Sequence, residues 1–182
     1  MRNTRYKRGF TLIEVLVSVG IFLMTMIAIS QIFITVIRSE RVAYALLNSE
    51  NNIRNNVELM AKTIRMGKNF DQVLLMSSGG KELCFDYYLD NEWPKLCYKF
   101  DDLSQRLERS LETLDNGEYK PLLDPQIKLS PDPDSSGHFY QIGNGSDSQL
   151  SFIIQLEAQI VERNINYLFH VETAVTSRYL GQ

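Results

Sequence analysis

Apolar residues follow two different patterns along this chain, one near its beginning and one over the remainder. Between Val15 and Ile37 there are 23 residues without a single charged side chain. As an α-helix this stretch would be about 35 Å long, which is enough to cross the roughly 30 Å hydrocarbon core of a bilayer. The pattern therefore predicts a membrane-spanning helix, and it excludes a soluble one-domain cytosolic enzyme.

The next stretch, residues 38–67, has the pattern of an amphipathic helix. It contains no Pro, and its first Gly is Gly67. Its apolar residues recur at gaps of seven, four, three and four positions: Leu46, Ile53, Val57, Met60 and Ile64. Charged residues occupy the opposite face, so one side of the helix is expected to pack on a globular head. We predict one helix from about Thr11 to Met66, with Gly67 as its C-cap.

Residues 68–182 have the pattern of a β-rich head. The predicted strands are Val73–Met76, Glu82–Leu89, Lys95–Asp101, Gln126–Ser130, Phe139–Ile142, Leu150–Glu157 and Ile165–Ser177. Turn-forming residues separate them at Ser78–Gly80, Asn116–Gly117, Pro131–Asp134 and Gly143–Gly145. Within Leu103–Leu114 four leucines have helical spacing, and the pattern leaves helix or strand open there.

Charge is distributed unevenly, and the distribution predicts a topology. The whole chain has a formal charge of −3, but residues 1–9 carry four basic groups and no acid, and the other 173 residues carry 15 basic and 22 acidic groups. The positive-inside rule places residues 1–9 in the cytoplasm and everything after about residue 38 outside. A cleaved secretory signal is disfavoured, since its apolar stretch is only about 7–15 residues and ends at a small-residue site. The balance of −7 over residues 10–182 argues against general nucleic-acid binding.

Glu14 is an acid near the beginning of the apolar run. An ionised carboxylate in lipid is costly unless it is paired or lies at the interface. Cleavage after Gly9 would create a cation for it, the α-amine of Phe10, four positions away on the same helix. In an assembly, the carboxylate could instead pair with the amine of a neighbouring subunit. The alternative is an interfacial carboxylate at the level of the head groups.

Residues 7–17, KRGFTLIEVLV, resemble the cleavage and methylation signature of type IV prepilins and type II secretion pseudopilins. The resemblance implies cleavage between Gly9 and Phe10 by a prepilin peptidase, N-methylation of Phe10, and docking into a helical filament guided by Glu14. It covers about residues 7–37. The N-terminal helix contains no Pro, unlike that of many major pilins, which disfavours a major pilin.

A second resemblance lies in Phe169–Arg178, which is similar to the terminal strand and arginine of minor pilins and minor pseudopilins, with the J-type minor pseudopilin nearest in length and strand order. Together the two imply a pilin-like α+β fold, in which one long N-terminal helix packs on a mostly antiparallel β-rich head. Because members of the family often have a strand there, a strand is favoured over Arg106–Glu112. The implied domains are a leader (1–9), a transmembrane and filament-core helix (10–37), an amphipathic continuation (38–67) and the head (68–182).

The family further implies a function, which is that of a structural minor subunit that assembles into or primes a pseudopilus for protein secretion. The implied partners are prepilin peptidase, other pilin or pseudopilin subunits, an inner-membrane assembly platform and membrane lipid. The chain would cross the inner membrane once, with its head in the periplasm or at the cell surface. A minor pilin of a type IV or competence pilus is the first alternative, and a membrane-anchored extracytoplasmic enzyme or sensor is the second.

Two cysteines, Cys84 and Cys97, are predicted to form a structural disulfide. If the chain reverses about Asp90–Asn91, facing residues have numbers that sum to 181, which places Cys84 opposite Cys97. Counted from a two-residue turn, they form a non-hydrogen-bonded pair, where Cα atoms approach to about 4.5 Å. An outward-facing domain meets oxidising conditions in many hosts. The alternative is a pair of free thiols in the core.

The remaining polar clusters carry weak signals. Asp132, Asp134 and Ser136 resemble the first half of a calcium loop, but its twelfth position is Gly143 rather than Glu, so an acidic solvated turn is favoured over a metal site. No H-E-x-x-H or G-x-S-x-G motif is present, and no residues suggest a nucleophile with its base. We therefore expect neither a cofactor nor catalytic activity. Trp93 and its tyrosine neighbours are expected to pack across a hairpin rather than to form a contact patch.

Overall fold

The computed structural model describes residues 9–132, 134–142, 150–162 and 165–178. Three helices and eight strands occur in these ranges. The helices are α1 (Leu12–Met66), α2 (Gln72–Ser77) and α3 (Glu112–Asp115). The strands are β1 (Glu82–Asp86), β2 (Lys95–Asp101), β3 (Arg106–Leu111), β4 (Lys120–Pro121), β5 (Ile127–Leu129), β6 (Gly137–Ile142), β7 (Ser151–Glu162) and β8 (Ile165–Thr176). Contacts divide the chain into a first unit that ends at Tyr44 and a second unit that begins at Ala45.

The long helix predicted from the sequence is present over almost the predicted range. It begins at Leu12 and ends at Met66, and Gly67 follows it. Gly67 directly follows the last helical residue, as predicted, and its N–H donates to the Ile64 carbonyl at 3.1 Å, but its backbone is not in the left-handed conformation that many glycines adopt after a helix. Gly67 is required there for space, since a Cβ would lie 2.3 Å from the ring of Phe85.

The second unit contains two antiparallel sheets and the C-terminal part of α1. One sheet has the order β1-β2-β3-β4, and in the other β5 and β6 pair with β7, which also pairs with β8. Four side chains of α1 are buried in a common core with residues of both sheets: Ile53, Val57, Met60 and Ile64. The predicted α+β pilin-like fold is therefore confirmed.

The hairpin between β1 and β2 has the predicted register. Asp90 and Asn91 both have positive φ, which lets the chain reverse at this point. Cys84 lies opposite Cys97, with their Cα atoms 4.1 Å apart, and the two are joined by a disulfide. A bond between residues 13 positions apart restricts the unfolded chain and stabilises the head by about 3 kcal/mol.

One predicted strand is wrong, and several others have different ends. Val73–Met76 lies in the helix α2, whose N-cap is Asp71, with a carboxylate that accepts a hydrogen bond from the Leu74 N–H at 3.0 Å. The apolar run is too short for its periodicity to distinguish a helix from a strand, and this N-cap favours the helix. The predicted Glu82–Leu89 strand ends early at Asp86, whereas Leu150–Glu157 is too short for the observed β7.

The ambiguous stretch from Leu103 to Leu114 contains both structures. A strand, β3, ends at Leu111, and a single helical turn, α3, follows it directly. The short strand β4 was not predicted, because its two residues carry no periodic signal. The predicted turn Gly143–Gly145 and residues 1–8 of the predicted leader lie outside the described residues.

Candidate processing and assembly site

The predicted cleavage position lies just before α1. Gly9 and Phe10 precede the helix, and both are exposed, with 84% of the Phe10 surface accessible. Apart from its chain neighbours, no heavy atom of the described residues lies within 4 Å of the position that a Cβ on Gly9 would occupy. The peptide bond between them is thus open to an enzyme, and the missing side chain of Gly9 lets the backbone lie extended in an active site.

Thr11 and Glu14 form the N-terminal cap of α1. The Thr11 N–H and hydroxyl each donate to the Glu14 carboxylate at 3.3 Å, and the Glu14 N–H approaches the Thr11 hydroxyl oxygen at 3.4 Å. This reciprocal arrangement is a capping box, T-x-x-E, and it fixes the first turn of the helix after Thr11. Glu14 therefore has hydrogen-bond partners in its own segment, in addition to the cation or the interfacial position that its charge predicts.

The cap was readable from the sequence but was missed. Thr followed three positions later by Glu, just before an apolar run, is a known signal for the beginning of a helix. The resemblance gives a role to the charge of Glu14 and carries no information on the hydrogen bonds that the same carboxylate accepts. The two roles use the same oxygen atoms.

The apolar part of α1 has the surface of a segment that lies in a non-aqueous environment. Among the described residues, Leu12–Met66 is the one helix that is long and apolar enough, by length and composition, to cross a membrane. Large apolar side chains from Leu12 to Val36 are exposed within the first unit. Its hydroxyl groups donate to carbonyl oxygens of the same helix at 2.8–2.9 Å, from Ser18, Thr25, Ser30 and Thr35. Such bonds satisfy polar side chains without water.

Comparison with known proteins gives one finding, and it falls on this segment. The family model described as the prokaryotic N-terminal methylation motif matches residues 4–30. The match supports the type IV pilin and pseudopilin family. No curated protein and no solved structure was found to match the chain.

The family motif carries consequences for a pilin-like chain. It implies processing by a prepilin peptidase and assembly with other pilins, and it points to a structural subunit rather than an enzyme. Together with the apolar helix, it also suggests anchoring in a membrane. The motif covers only residues 4–30, which include the predicted cleavage position and the beginning of α1, so it does not distinguish a pilin from a pseudopilin.

The two cysteines lie in a well-bonded part of the head. Near the disulfide, Glu82 accepts a 2.5 Å hydrogen bond from the Tyr119 hydroxyl. Burial, followed by this bond to the carboxylate, raises the pKa of Tyr119. Glu82, Cys84 and Cys97 place three potential metal-binding atoms within 4.8 Å of one another. Because both sulfur atoms are bonded to each other, they offer no thiolate to a metal.

The side chains of two of the three residues of the weak calcium candidate, Asp132 and Ser136, take part in hydrogen bonds within the protein. Asp132 accepts a hydrogen bond from the Asp134 N–H at 3.1 Å, as in an ordinary turn. Ser136 is fully buried and donates to Asp102 at 2.6 Å. Lys81 donates to both Ser136 and Asp102, at 2.6 and 3.0 Å, so an ammonium group neutralises this carboxylate. These bonds join the residue before β1, the β2–β3 turn and the residue before β6.

The aromatic residues near the first hairpin pack on one another. The rings of Tyr88 and Trp93 lie 5.1 Å apart, and the Lys68 ammonium lies 3.4 Å from the centre of a Trp93 ring. His138 stacks on Tyr140 with 5.6 Å between ring centres, while His170 lies on β8.

Proposed function

We propose that this chain is a structural minor subunit that is cleaved after Gly9, methylated on Phe10, and assembled into or used to prime a pseudopilus for protein secretion. The observation that carries the proposal is the exposed Gly9–Phe10 bond directly before a capped helix whose residues 15–37 carry no charge, within the matched motif. In this proposal residues 1–9 are a cytoplasmic leader, residues 10–37 span the inner membrane and later line the filament core, residues 38–67 continue the helix, and residues 68–182 are the head outside.

The capping box explains how one segment serves both processing and assembly. By fixing the beginning of the helix at Leu12, Thr11 keeps the Gly9–Phe10 bond outside the helix, where a peptidase can bind it in extended form. Cleavage then adds the α-amine of Phe10, with a pKa near 8, one turn before Glu14. The Glu14 carboxylate can exchange its bonds to Thr11 for this amine or for the amine of a neighbouring subunit. In low dielectric a charge pair is favoured over a solitary charge.

The type of filament is the finer part of the proposal. The likeness of Phe169–Arg178 to minor pseudopilins supports a J-type subunit of type II secretion, with an inner-membrane assembly platform and other pseudopilins as partners. A minor pilin of a type IV or competence pilus has the same N-terminal chemistry. We propose no catalytic role for any residue and no general binding of nucleic acids, since residues 10–182 have a balance of −7.

Mass spectrometry of the protein purified from its native host tests the processing step. We expect a mature chain that begins at N-methylated Phe10. An intact Met1, or a cut at another position, would contradict the proposal and favour a membrane-anchored enzyme or sensor.

Two substitutions at Glu14 test the assembly step. Glu14→Val removes both the charge and the capping partner, whereas Glu14→Gln keeps the oxygen that caps the helix and removes only the charge. We expect both variants to be cut after Gly9 and inserted normally, and both to lose crosslinking to partner subunits in membranes. Wild-type crosslinking by Glu14→Val would show that Glu14 is an interfacial carboxylate with no role in docking. Normal crosslinking by Glu14→Gln alone would show that capping, not charge, is what assembly requires.

A further inference from the structure

The strand β8 is a long sheet edge without the usual protection against pairing with another chain. It runs for 12 residues, Ile165–Thr176, and pairs only with β7 among the described strands. Natural edge strands are commonly protected by Lys, Pro, a bulge or a short length. β8 contains neither Lys, Arg nor Pro, its register with β7 is continuous, and Glu172 is its one acidic residue.

The other edges of the described sheets are short or covered. β4 has two residues and contains Pro121, and β5 has three residues. The outer side of β1 is bonded to the segment after α1, where the Asp71 N–H donates to the Cys84 carbonyl at 2.9 Å. The outer side of β6 is also occupied, since the Phe139 N–H donates to the Gly80 carbonyl at 2.7 Å. β8 therefore stands out within the described part of the head.

The hydrogen-bond pattern shows which backbone groups of β8 point outward. The Ser177 N–H donates to the Leu150 carbonyl at 2.8 Å, and this pair continues the register of β7 with β8. In an antiparallel pair every second residue bonds to its partner, and the residues between point their N–H and C=O groups the other way. Even-numbered residues of β8 thus face the outer edge. Arg178 follows the same rule, because its N–H donates at 2.9 Å to the Arg65 carbonyl, at the C-terminal end of α1.

A cavity of about 810 Å³ lies along this edge, bounded on its other side by α1. Consecutive residues of β8, from Phe169 to Thr173, line it, so the cavity follows the edge of the strand rather than one face of the sheet. Its floor is apolar and includes Val57, Ala61 and Val171. An extended chain lying there would meet both the outward-facing backbone groups of β8, which have no partner strand among the described residues, and apolar side chains.

One end of the cavity is cationic. Lys62, Arg65 and Arg178 line it, all three are exposed, and none has an ion pair among the described residues. Three acidic residues also line the cavity. Two of them have a neighbouring basic side chain, since Glu50 pairs with Arg54 at 3.0 Å and Glu172 lies 4.0 Å from His170. This cluster is unusual in a chain whose residues 10–182 have a balance of −7. The positive charge of Lys62, Arg65 and Arg178 favours the binding of a partner that carries carboxylates at this end of the cavity.

We propose that the cleft between β8 and α1, formed by residues 165–176 and the facing side of residues 50–66, binds an extended segment of another protein as an added antiparallel β-strand. Main-chain hydrogen bonds to the even-numbered residues of β8 supply the affinity, as in other cases of strand addition. Acidic residues at the N-terminal end of the incoming segment reach Lys62, Arg65 and Arg178, because an antiparallel strand begins where β8 ends. The occupant is thus a single strand preceded by carboxylates.

The walls of the cleft favour a single strand over a second copy of this chain. Pairing of β8 with β8 would bring the whole sheet of the second copy to the edge, and α1 already bounds the far side of the cavity. A free tail or loop of a companion subunit has no such attached sheet. The proposal depends on the head and not on cleavage after Gly9, so it can fail without affecting the proposed function, and the reverse also holds.

A fluorescent peptide tests this with the full-length protein in detergent. The probe is an eight-residue peptide of sequence DETVTVTV with the label at its C-terminus, and the matched probe KKTVTVTV reverses the charge of its first two residues. Fluorescence anisotropy should show saturable binding of the acidic probe, and at least about tenfold weaker binding of the basic one. Added salt should reduce this difference, because the charges at the cleft are exposed.

Two pairs of variants test the two parts of the cleft. Glu172→Pro removes an outward N–H, which an edge strand tolerates, and should weaken binding at least tenfold, whereas Glu172→Ala keeps that N–H and should not weaken it. Arg65→Glu should abolish the preference for the acidic probe, whereas Lys128→Glu, the same charge change on β5 away from the cavity, should leave it unchanged. Equal binding of both probes, or wild-type binding by Glu172→Pro, would overturn the proposal.

Hydrogen exchange on the wild-type protein provides a measurement that does not depend on how a variant folds. Saturation with the acidic probe should slow the exchange of the outward amides of Leu168, His170, Glu172 and Ala174. Protection elsewhere, or probe-independent dimers paired through β8, would show that the cleft is not a site for a single added strand.

Discussion

The two halves of α1 belong to one helix, but their side chains meet opposite conditions. Ile27 in the first unit is 61% exposed, whereas Ile64 in the second is fully buried in the core of the head. Backbone hydrogen bonds are internal in both halves, and the hydroxyl groups of the first half are bonded within the helix as well. The same residue type therefore requires a lipid or protein environment in one half and already has one in the other. Substitutions in the first half should change processing and assembly, and substitutions in the second should change the stability of the head.

The largest effect is expected at Gly9. Gly9→Val places a β-branched side chain next to the proposed scissile bond, which restricts the extended backbone and fills the space that a peptidase would need. We expect complete loss of cleavage, with a full-length precursor in the membrane fraction and an unchanged melting temperature of the head. Gel mobility and mass spectrometry measure the first outcome, and the fluorescence of Trp93, the single Trp, measures the second. A normally processed Gly9→Val would place the cut elsewhere.

A matched pair of substitutions tests the comparison within α1 directly. Ile64→Ala leaves a cavity in a fully buried position and should cost about 4 kcal/mol of unfolding free energy. Ile27→Ala makes the same chemical change in the exposed half and should leave the thermal unfolding of the head, followed by Trp93 fluorescence, unaltered. If Ile27→Ala destabilised the head as much as Ile64→Ala, the two halves would form one cooperative unit and the comparison would be wrong.

The disulfide is the next largest contribution to the head. Cys84→Ser opens a loop of 13 positions and should reduce stability by about 3 kcal/mol, which lowers the melting temperature. The proposed cleavage after Gly9 should be unchanged, because Gly9 and Cys84 lie in different compact units of the chain. Non-reducing peptide mapping of the wild-type protein from its native host should recover Cys84 and Cys97 as one linked pair. Recovery of both as free thiols would contradict the prediction of a bond in the exported protein.

Long-range order was predictable from the sequence wherever a pattern extended over many residues. The helix to Met66, the register of Cys84 with Cys97 and the strand β8 all follow from periodicity, turn residues or alternation. The predictions that failed concern short segments. The run Val73–Met76 has too few residues to show a period, and its helix depends on one hydrogen bond to Asp71.

The cleft beside β8 was not predictable in the same way. Its cationic end joins Lys62 and Arg65 of α1 to Arg178, more than 100 positions later, and no local spacing connects them. Likewise, nothing in the sequence around Gly67 indicates the ring of Phe85 that excludes a side chain there. Such contacts result from the way in which helix and sheets pack, which a single sequence does not specify.

The smallest effect is expected at Asp115, whose carboxylate ties α3 to β4. Lys120 donates to it at 2.6 Å, and this bond, with a further one from the Leu111 N–H, lowers the pKa of Asp115. Because the folded state holds the ionised form more strongly than the unfolded state does, the contribution is present above the ordinary pKa of 3.8 and is lost as the pH falls through the lower folded value. Asp115→Asn keeps the acceptor oxygen and removes the charge. Its melting temperature should therefore lie below that of the wild type at pH 7 and approach the wild-type value below about pH 4.

The matched control is Glu118→Gln, which changes an exposed acid without an ion pair among the described residues. The difference in melting temperature between Glu118→Gln and the wild type should not shrink in this way as the pH falls. A constant difference between Asp115→Asn and the wild type from pH 7 to pH 3 would mean that the ion pair contributes nothing and that the amide is simply a poorer fit.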